Sequence, residues 1–232
     1  MEIQTADYRN LSGVVDLLEK GGVIVYPTET VYGLGALADN PSAIERIARL
    51  KGSDPNSPFL ILIRRIDDLL DYARHVPPLA LKLTEHFWPG PLTLILPVRR
   101  SADLHPRLVG PSGGVALRVS SHPWCRALMD LLGRGLVSTS VNPTGLAAPC
   151  SLHPPAGGLD DRLLQGVDLV LDGGRLTGIV STVLDFCLDP PLIRRVGAID
   201  RATIESVIPS VRIRKAEKGA SIACVKRSSS IL

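Results

Sequence analysis

Two threonines, a glutamate and a tyrosine crowd into one short run, Pro27-Thr28-Glu29-Thr30-Val31-Tyr32-Gly33-Leu34-Gly35. The run follows the β-branched stretch Val23-Ile24-Val25 and precedes a helix-start signal at Asp39-Asn40-Pro41. Hydroxyls, a carboxylate and a phenol in the turn leaving a buried strand suit a small polar ligand, because the strand fixes the turn while side chains and amides stay available. The glycines match neither GxxxxGKS/T nor GxGxxG, so neither nucleotide fingerprint applies. The competing reading is a polar, Gly-terminated turn with no catalytic consequence.

A second polar group sits in Val137-Ser138-Thr139-Ser140-Val141-Asn142. On a strand, side chains alternate faces, so Ser138, Ser140 and Asn142 point the same way. Pro143-Thr144-Gly145 ends the strand and leaves Asn142 at its mouth. Hydroxyl and amide groups there would hold a phosphate or carboxylate without adding charge; a solvated polar face is the alternative. Lys51 follows a helix, where the dipole alone favours a cation by ~0.3–1 kcal/mol. Arg118 is harder to dismiss. Its strand, Val115–Val119, is otherwise apolar, and a buried Arg needs an anion or an exit to water. A triphosphate would supply forked, charge-assisted bonds. Arg195 closes another strand, and Gly178-Ile179-Val180-Ser181-Thr182 brings hydroxyls to the start of one. Trp88-Pro89-Gly90-Pro91 reads as a tight structural turn with an aromatic anchor.

No Ser/His/Asp, Cys/His or paired-carboxylate arrangement stands out. Hydroxyls plus cations suggest catalysis by positioning and charge stabilisation. Phosphoryl or nucleotidyl transfer fits that style, with Mg²⁺ offsetting charge.

These residues must be positioned by a mixed α/β framework, since short aliphatic runs alternate with helical patterns. The expected strands are Gly22–Tyr26, Phe59–Ile63, Leu92–Pro97, Val115–Val119, Leu136–Val141, Val167–Leu171, Thr182–Phe186 and Leu192–Arg195. The expected helices are Ser42–Leu50, Ile66–Ala73, Leu79–Phe87, Pro123–Leu132 and Leu159–Gln165. Several strands succeed each other without a helix between them, which argues for a mixed sheet. From Val211 the composition turns basic, with Arg212, Arg214, Lys215, Lys218, Lys226 and Arg227 before Ser228-Ser229-Ser230. Residues 1–208 are thus expected as one catalytic domain and 209–232 as a loosely ordered, solvated tail.

The bulk numbers exclude several classes. A chain of 232 residues with 45% apolar composition can bury one sizeable core. A formal charge of +3 permits contact with RNA or nucleotides without demanding it. Nothing approaches the roughly 20 apolar residues of a membrane span, and Met1-Glu2-Ile3-Gln4 lacks a signal-peptide pattern. Cys125, Cys150, Cys187 and Cys224 form no CxxC pair and read as reduced thiols of a cytoplasmic protein. The five histidines show no ligand spacing, so no structural metal is expected.

Taken together, these segments resemble the YrdC/TsaC family of L-threonylcarbamoyladenylate synthases, in the short form without the extra C-terminal domain. The matching pieces are Pro27–Gly35, Lys51 with Pro58-Phe59-Leu60, Trp88–Thr93, Ala116–Val119, Ser140-Val141-Asn142, Ser181-Thr182 and Ile193–Ile199, in the family's order. The resemblance implies a twisted mixed sheet with flanking helices and a large concave, positively lined cavity. It implies a nucleotidyltransferase that joins L-threonine, bicarbonate and ATP (with Mg²⁺) into threonylcarbamoyl-AMP and releases pyrophosphate. A transferase complex would then modify the tRNA adenosine next to the anticodon, and binding of double-stranded RNA would accompany that role. Lys51, Arg118 and Arg195 would hold the phosphates, Lys51 and Arg118 acting catalytically. Ser140 and Asn142 would orient the nucleotide; Thr28, Thr30, Tyr32 and Ser181 would shape the threonine and carbamate side.

Two departures matter. The family commonly has Lys-x-Arg where this chain has Lys51-Gly52-Ser53. Loss of a charge-assisted bond of ~1.5–3 kcal/mol would slow the reaction by roughly one to two decades. Arg49 is the basic residue placed to compensate, although its helical position points it differently. Val196 stands where proline is usual, a mild change. A catalytically impaired RNA- or nucleotide-binding relative is the alternative function. A hydrogenase-maturation carbamoyl-handling domain is a third, weakened by the absence of zinc and acyl-phosphatase modules.

Overall fold

A computed structural model describes residues 3–54, 57–142, 148–153 and 161–208, and the backbone of 214–215. Eleven strands among the described residues form a sheet, numbered here in chain order. From edge to edge they run β1 (Ile3–Thr5), β8 (Leu169–Asp172), β2 (Ile24–Tyr26), β3 (Gly33–Gly35), β7 (Leu136–Ser140), β4 (Leu60–Leu62), β6 (Gly114–Arg118), β5 (Leu92–Pro97), β9 (Thr182–Asp185), β10 (Leu192–Arg195) and β11 (Arg214–Lys215). Parallel pairs (β1 with β8, β4 with β6, β5 with β9) alternate with antiparallel ones such as β3 with β7 and β5 with β6. The mixed sheet expected from consecutive strand signals is present, and all eight expected strands appear, Leu92–Pro97 and Leu192–Arg195 with the expected bounds and the others with ends shifted by one or two residues.

Alternation along each strand builds two apolar layers. Val23, Val25, Ile61, Val137 and Val170 enter one buried cluster, and their neighbours Ile24, Tyr26, Leu62, Leu136, Leu169 and Leu171 enter the other. Helices α1 (Leu11–Glu19) and α5 (Pro123–Leu132) cover the second layer through Leu11, Val14, Leu18, Trp124 and Leu128. The first layer is covered by α2 (Pro41–Lys51) and α4 (Pro78–Phe87), together with Ile204 of α7 (Arg201–Val207).

α2 matters most to the site. Asn40 caps it by accepting from the Ala43 N–H at 3.0 Å, Pro41 preorganises its first turn, and Ile44, Ile47 and Ala48 bury one face. It stops at Gly52, whose φ of 56° is left-handed, so Lys51 is the last helical residue.

Several expectations are corrected. The stretch placed in a turn ends in β3, antiparallel to β2 with Tyr26 opposite Gly33. The glycines are there for space: a Cβ on Gly35 would lie 2.6 Å from Tyr26 Cε1, and Tyr26 is fully buried. The helix expected over Ile66–Ala73 is a 3-10 turn, Ile66–Asp68, followed by the single-turn α3 (Leu69–Tyr72). Of the helix expected at Leu159–Gln165, α6 covers Asp161–Gln165, and the rest lies outside the described residues. β1, α1 and α7 were not anticipated. α7 carries a readable signal, since Asp200 accepts from the Thr203 N–H at 2.7 Å as an N-cap.

Arg214 and Lys215, in the segment read as a loose tail, pair parallel to Leu192 and Ile193; the remainder of 209–232 lies outside the described residues. So does the turn expected at Pro143–Gly145. Cys125 and Cys187 are free thiols among the described residues. Trp88 is anchored as expected of a structural turn, its Nε1–H donating to the Leu92 carbonyl at 2.6 Å. No helix among the described residues is long and apolar enough to cross a membrane.

Candidate active site

A cavity of ≈ 450 Å³ opens across the middle of the sheet, against β3, β7, β6, β5 and β9. All nine residues singled out from the sequence line it: Thr28, Thr30, Tyr32, Lys51, Arg118, Ser140, Asn142, Ser181 and Arg195. They come from segments as far apart as 28 and 195, so strand order alone brings them together.

Three cations face this space from different elements. Lys51, at the end of α2, is buried, and its Nζ donates to the backbone carbonyls of Ser140 at 2.5 Å and Asn142 at 2.7 Å. Burial pushes its ammonium down to about 8; the two carbonyl acceptors oppose that shift. Arg118, at the end of β6, is 3% exposed, which is why it must find an anion inside the protein or in the cavity. Its Nη1 lies 3.4 Å from Thr30 Oγ1 and its Nε 3.7 Å from Glu29 Oε1. Arg195 donates through Nε to the Ser181 carbonyl at 3.0 Å and through Nη2 to Ser181 Oγ at 3.1 Å. Desolvation first, and repulsion from Arg118 second, push the Arg195 guanidinium down to about 10. Its exposed side screens much of that effect, and it stays charged at neutral pH. That mutual repulsion is what an anion between the two would relieve.

The hydroxyls divide into those aimed at the cavity and those used by the scaffold. Thr28 Oγ1 donates to the Val31 carbonyl at 2.7 Å and accepts from the Thr30 and Val31 N–H groups, so it ties its own turn. Tyr32 lines the cavity, but its hydroxyl lies 2.6 Å from the Gly174 carbonyl and 2.9 Å from Asp172 Oδ1, and accepts from the Gly173 N–H at 3.0 Å. Burial and the Asp172 hydrogen bond push that phenol far above its ordinary range. Both residues therefore shape the wall rather than present a free hydroxyl, a refinement of the threonine-side role the resemblance implied. Ser181 Oγ is shared with Thr93 Oγ1 at 2.9 Å and with Arg195.

Sequence reasoning missed Thr93 and Arg194, which also line the cavity. Thr93 becomes visible only through the parallel register that sets it opposite Val183. Arg194 is paired with the fully buried Asp185 at 2.8 Å, and the Arg194-Arg195 doublet at a strand end was its one signal. Arg49 is exposed and does not line the cavity, so it does not replace the cation missing at position 53. Ser53 itself stays on the helix end, its N–H donating to the Ala48 carbonyl at 3.2 Å, while Arg107 Nη1 reaches the Ser53 carbonyl at 3.3 Å.

A cavity lined, among the described residues, by Lys51, Arg118, Arg195 and the Asp185-paired Arg194, with a cluster of hydroxyls and no carboxylate, suits a polyanion. A family model described as "Telomere recombination" (Sua5, YciO and YrdC) matches residues 16–197. The chain belongs to the Sua5/YciO/YrdC family. The threonylcarbamoyl-AMP synthase of Pyrococcus abyssi is 35% identical over 211 residues, which cover 90% of this chain and 60% of that one. The crystal structure of P. abyssi Sua5 complexed with L-threonine matches with a TM-score of 0.82 at 30% identity, covering 92% of this chain and 63% of that one. The uncharacterized protein YciO of Escherichia coli strain K12 is 33% identical over 193 residues, covering 83% of this chain and 91% of YciO. This Sua5/YciO/YrdC chain spans about 60% of the length of the first curated relatives that it matches.

Proposed function

We propose that this chain makes threonylcarbamoyl-AMP and pyrophosphate from L-threonine, bicarbonate and Mg²⁺-ATP, for modification of the tRNA adenosine next to the anticodon by a partner transferase. One observation carries this reading: Lys51, Arg118 and Arg195 converge on one cavity that also holds the Thr30 and Ser181 hydroxyls. The relatives named threonylcarbamoyl-AMP synthase support it. So does the Sua5 relative's structure with L-threonine. Residues 1–208 would form the catalytic unit, with 209–232 as a basic appendage.

The chemistry asks little covalent work of the protein. Threonine and bicarbonate combine as a carbamate with loss of water. A carbamate oxygen then attacks the α-phosphorus, the bond to the bridging oxygen breaks, and pyrophosphate leaves. Charge grows on the phosphate oxygens, where Lys51 and Arg118 would stabilise it and Arg195 would hold the leaving group. Ser140 and Asn142 would orient the nucleotide, and Thr30, Ser181 and the Thr28 and Tyr32 walls would seat the amino acid. Mg²⁺ would arrive on the triphosphate, since no carboxylate among the described residues lines the cavity.

The test is pyrophosphate release from Mg²⁺-ATP by purified protein, with and without L-threonine and bicarbonate. Release that requires both co-substrates is expected, slowed relative to Lys-x-Arg relatives by Ser53. Folded protein that binds ATP yet releases nothing would overturn the reading in favour of a nucleotide-binding relative.

Lys51 adds a pH signature. With its pKa near 8 in the folded chain against 10.5 for an ordinary lysine, the burial penalty on the ammonium is full below pH 8. It fades as pH climbs to 10.5, because the unfolded chain then holds the extra proton, so stability rises across that window. Anion binding needs the charged form and runs the other way. ATP affinity should fall by up to about fivefold from pH 8 to 9, and Lys51→Arg should flatten that fall; isothermal titration at several pH values checks both.

A further inference from the structure

Behind the cavity wall Arg118 meets a buried polar cluster, Glu29, Ser120 and His122, to which the proposed chemistry gives no role. Arg118 Nε is buried and has no hydrogen-bond acceptor, and Glu29 Oε1, 3.7 Å away, is buried and has no donor. The two side chains are only 4% and 14% exposed. The carboxylate's other oxygen accepts from Ser120 Oγ, which in turn accepts from the His122 N–H at 3.2 Å. Burial pushes the His122 imidazole down and the Cys125 thiol up to about 12, so both stay neutral near pH 7. Among the described residues, Arg118 is then the one cation paired with Glu29.

The guanidinium is planar, so fixing one edge fixes the other. Its Nε edge is turned to Glu29, which does not line the cavity, while Nη1 sits by Thr30, which does. We propose that Glu29 is a positioning residue: its Ser120-anchored carboxylate holds the Arg118 guanidinium edge-on, so that the Nη groups face the incoming phosphate oxygens. This rests on the cavity's being an anion site, and it assigns Glu29, in the middle of the Thr28–Thr30 run, a duty separate from its neighbours'. A carboxylate that only neutralised buried charge would serve any cation at position 118 equally well. One that orients a plane serves arginine and not lysine.

Glu29→Gln keeps the volume and the Ser120 hydrogen bond and removes the charge. Its effect on Mg²⁺-ATP affinity is measured by titration calorimetry in two backgrounds, native Arg118 and Arg118→Lys. The expected result is a weakening of about tenfold beside arginine and less than twofold beside lysine. Equal losses in both backgrounds, or no loss beside arginine, would overturn the proposal. A second readout needs no ligand: the ¹⁵Nε–Hε resonance of Arg118 should be sharp and slow to exchange in the native chain and broadened in Glu29→Gln. Ser120→Ala, which unties the carboxylate but leaves both charges, carries the same measurements if Glu29→Gln does not fold. Native protein that binds no ATP would sink the functional reading, while an unchanged resonance would sink the role of Glu29.

Discussion

Lys51→Met should lower kcat/KM for pyrophosphate release by about two to three orders of magnitude, the largest loss of any single substitution in the cavity. The ammonium is a charge held without water beside the space where phosphate charge develops, and removing one such preorganised donor typically costs ~10²–10³ in rate. Methionine fills nearly the same volume, so packing is retained. Two effects on stability oppose each other. The variant relieves the burial penalty on the ammonium, and it leaves the Ser140 and Asn142 carbonyls without the donor they now share. The thermal midpoint should therefore move by only a few degrees while activity collapses, which calorimetry and the pyrophosphate assay would show together. A fall of less than threefold would make Lys51 a structural tie between α2 and the end of β7, and the cavity's chemistry would need another cation.

Gly197→Ala should do the opposite: unfold the cavity wall and take activity with it. A Cβ at Gly197 would lie 2.1 Å from the Val180 carbonyl oxygen and 2.6 Å from the Ser181 carbonyl carbon. Those are backbone atoms on the segment leading into β9, and they cannot swing aside as a side chain would. The same contact is stitched by the Ala198 N–H to the Val180 carbonyl at 2.9 Å and by the Gly197 N–H to Thr182 Oγ1, also at 2.9 Å. Forcing it apart should cost ~2–3 kcal/mol, the upper range for overpacking, or roughly 5–10 °C in melting temperature for a chain of this size. Val180, Ser181 and Arg195 all line the cavity, so ATP affinity should fall as well. An alanine variant that melts with the native protein would show that the two segments can separate without loss.

Much of the scaffold was legible because local patterns wrote it. β-branched runs such as Val23–Val25 can bury both faces only in a sheet, and Asn40-Pro41 with Ile44, Ile47 and Ala48 can only be a capped amphipathic helix. α1 carries the same kind of signal in Leu11, Val14 and Leu18, at helical spacing. β3 is hidden from a local reading for a physical reason. Gly33 and Gly35 look like turn residues, and only the ring of Tyr26 crossing above them explains why a strand there must lack side chains.

The sequence by itself determined which residue types carry charge and hydroxyls, where most strands and helices lie, and, through motif order, a family resemblance that named nine of the residues lining the cavity. Only the tertiary structure decided how they face. Register and strand order lie in long-range pairings that no local window contains: β9 beside β5 sets Thr93 against Ser181, and β7 between β3 and β4 sets the Ser140 and Asn142 carbonyls at Lys51. The same packing turned the hydroxyls of Thr28 and Tyr32 into the scaffold and put Glu29 behind Arg118, because a buried polar group takes the nearest partner the fold supplies, whatever its spacing along the chain.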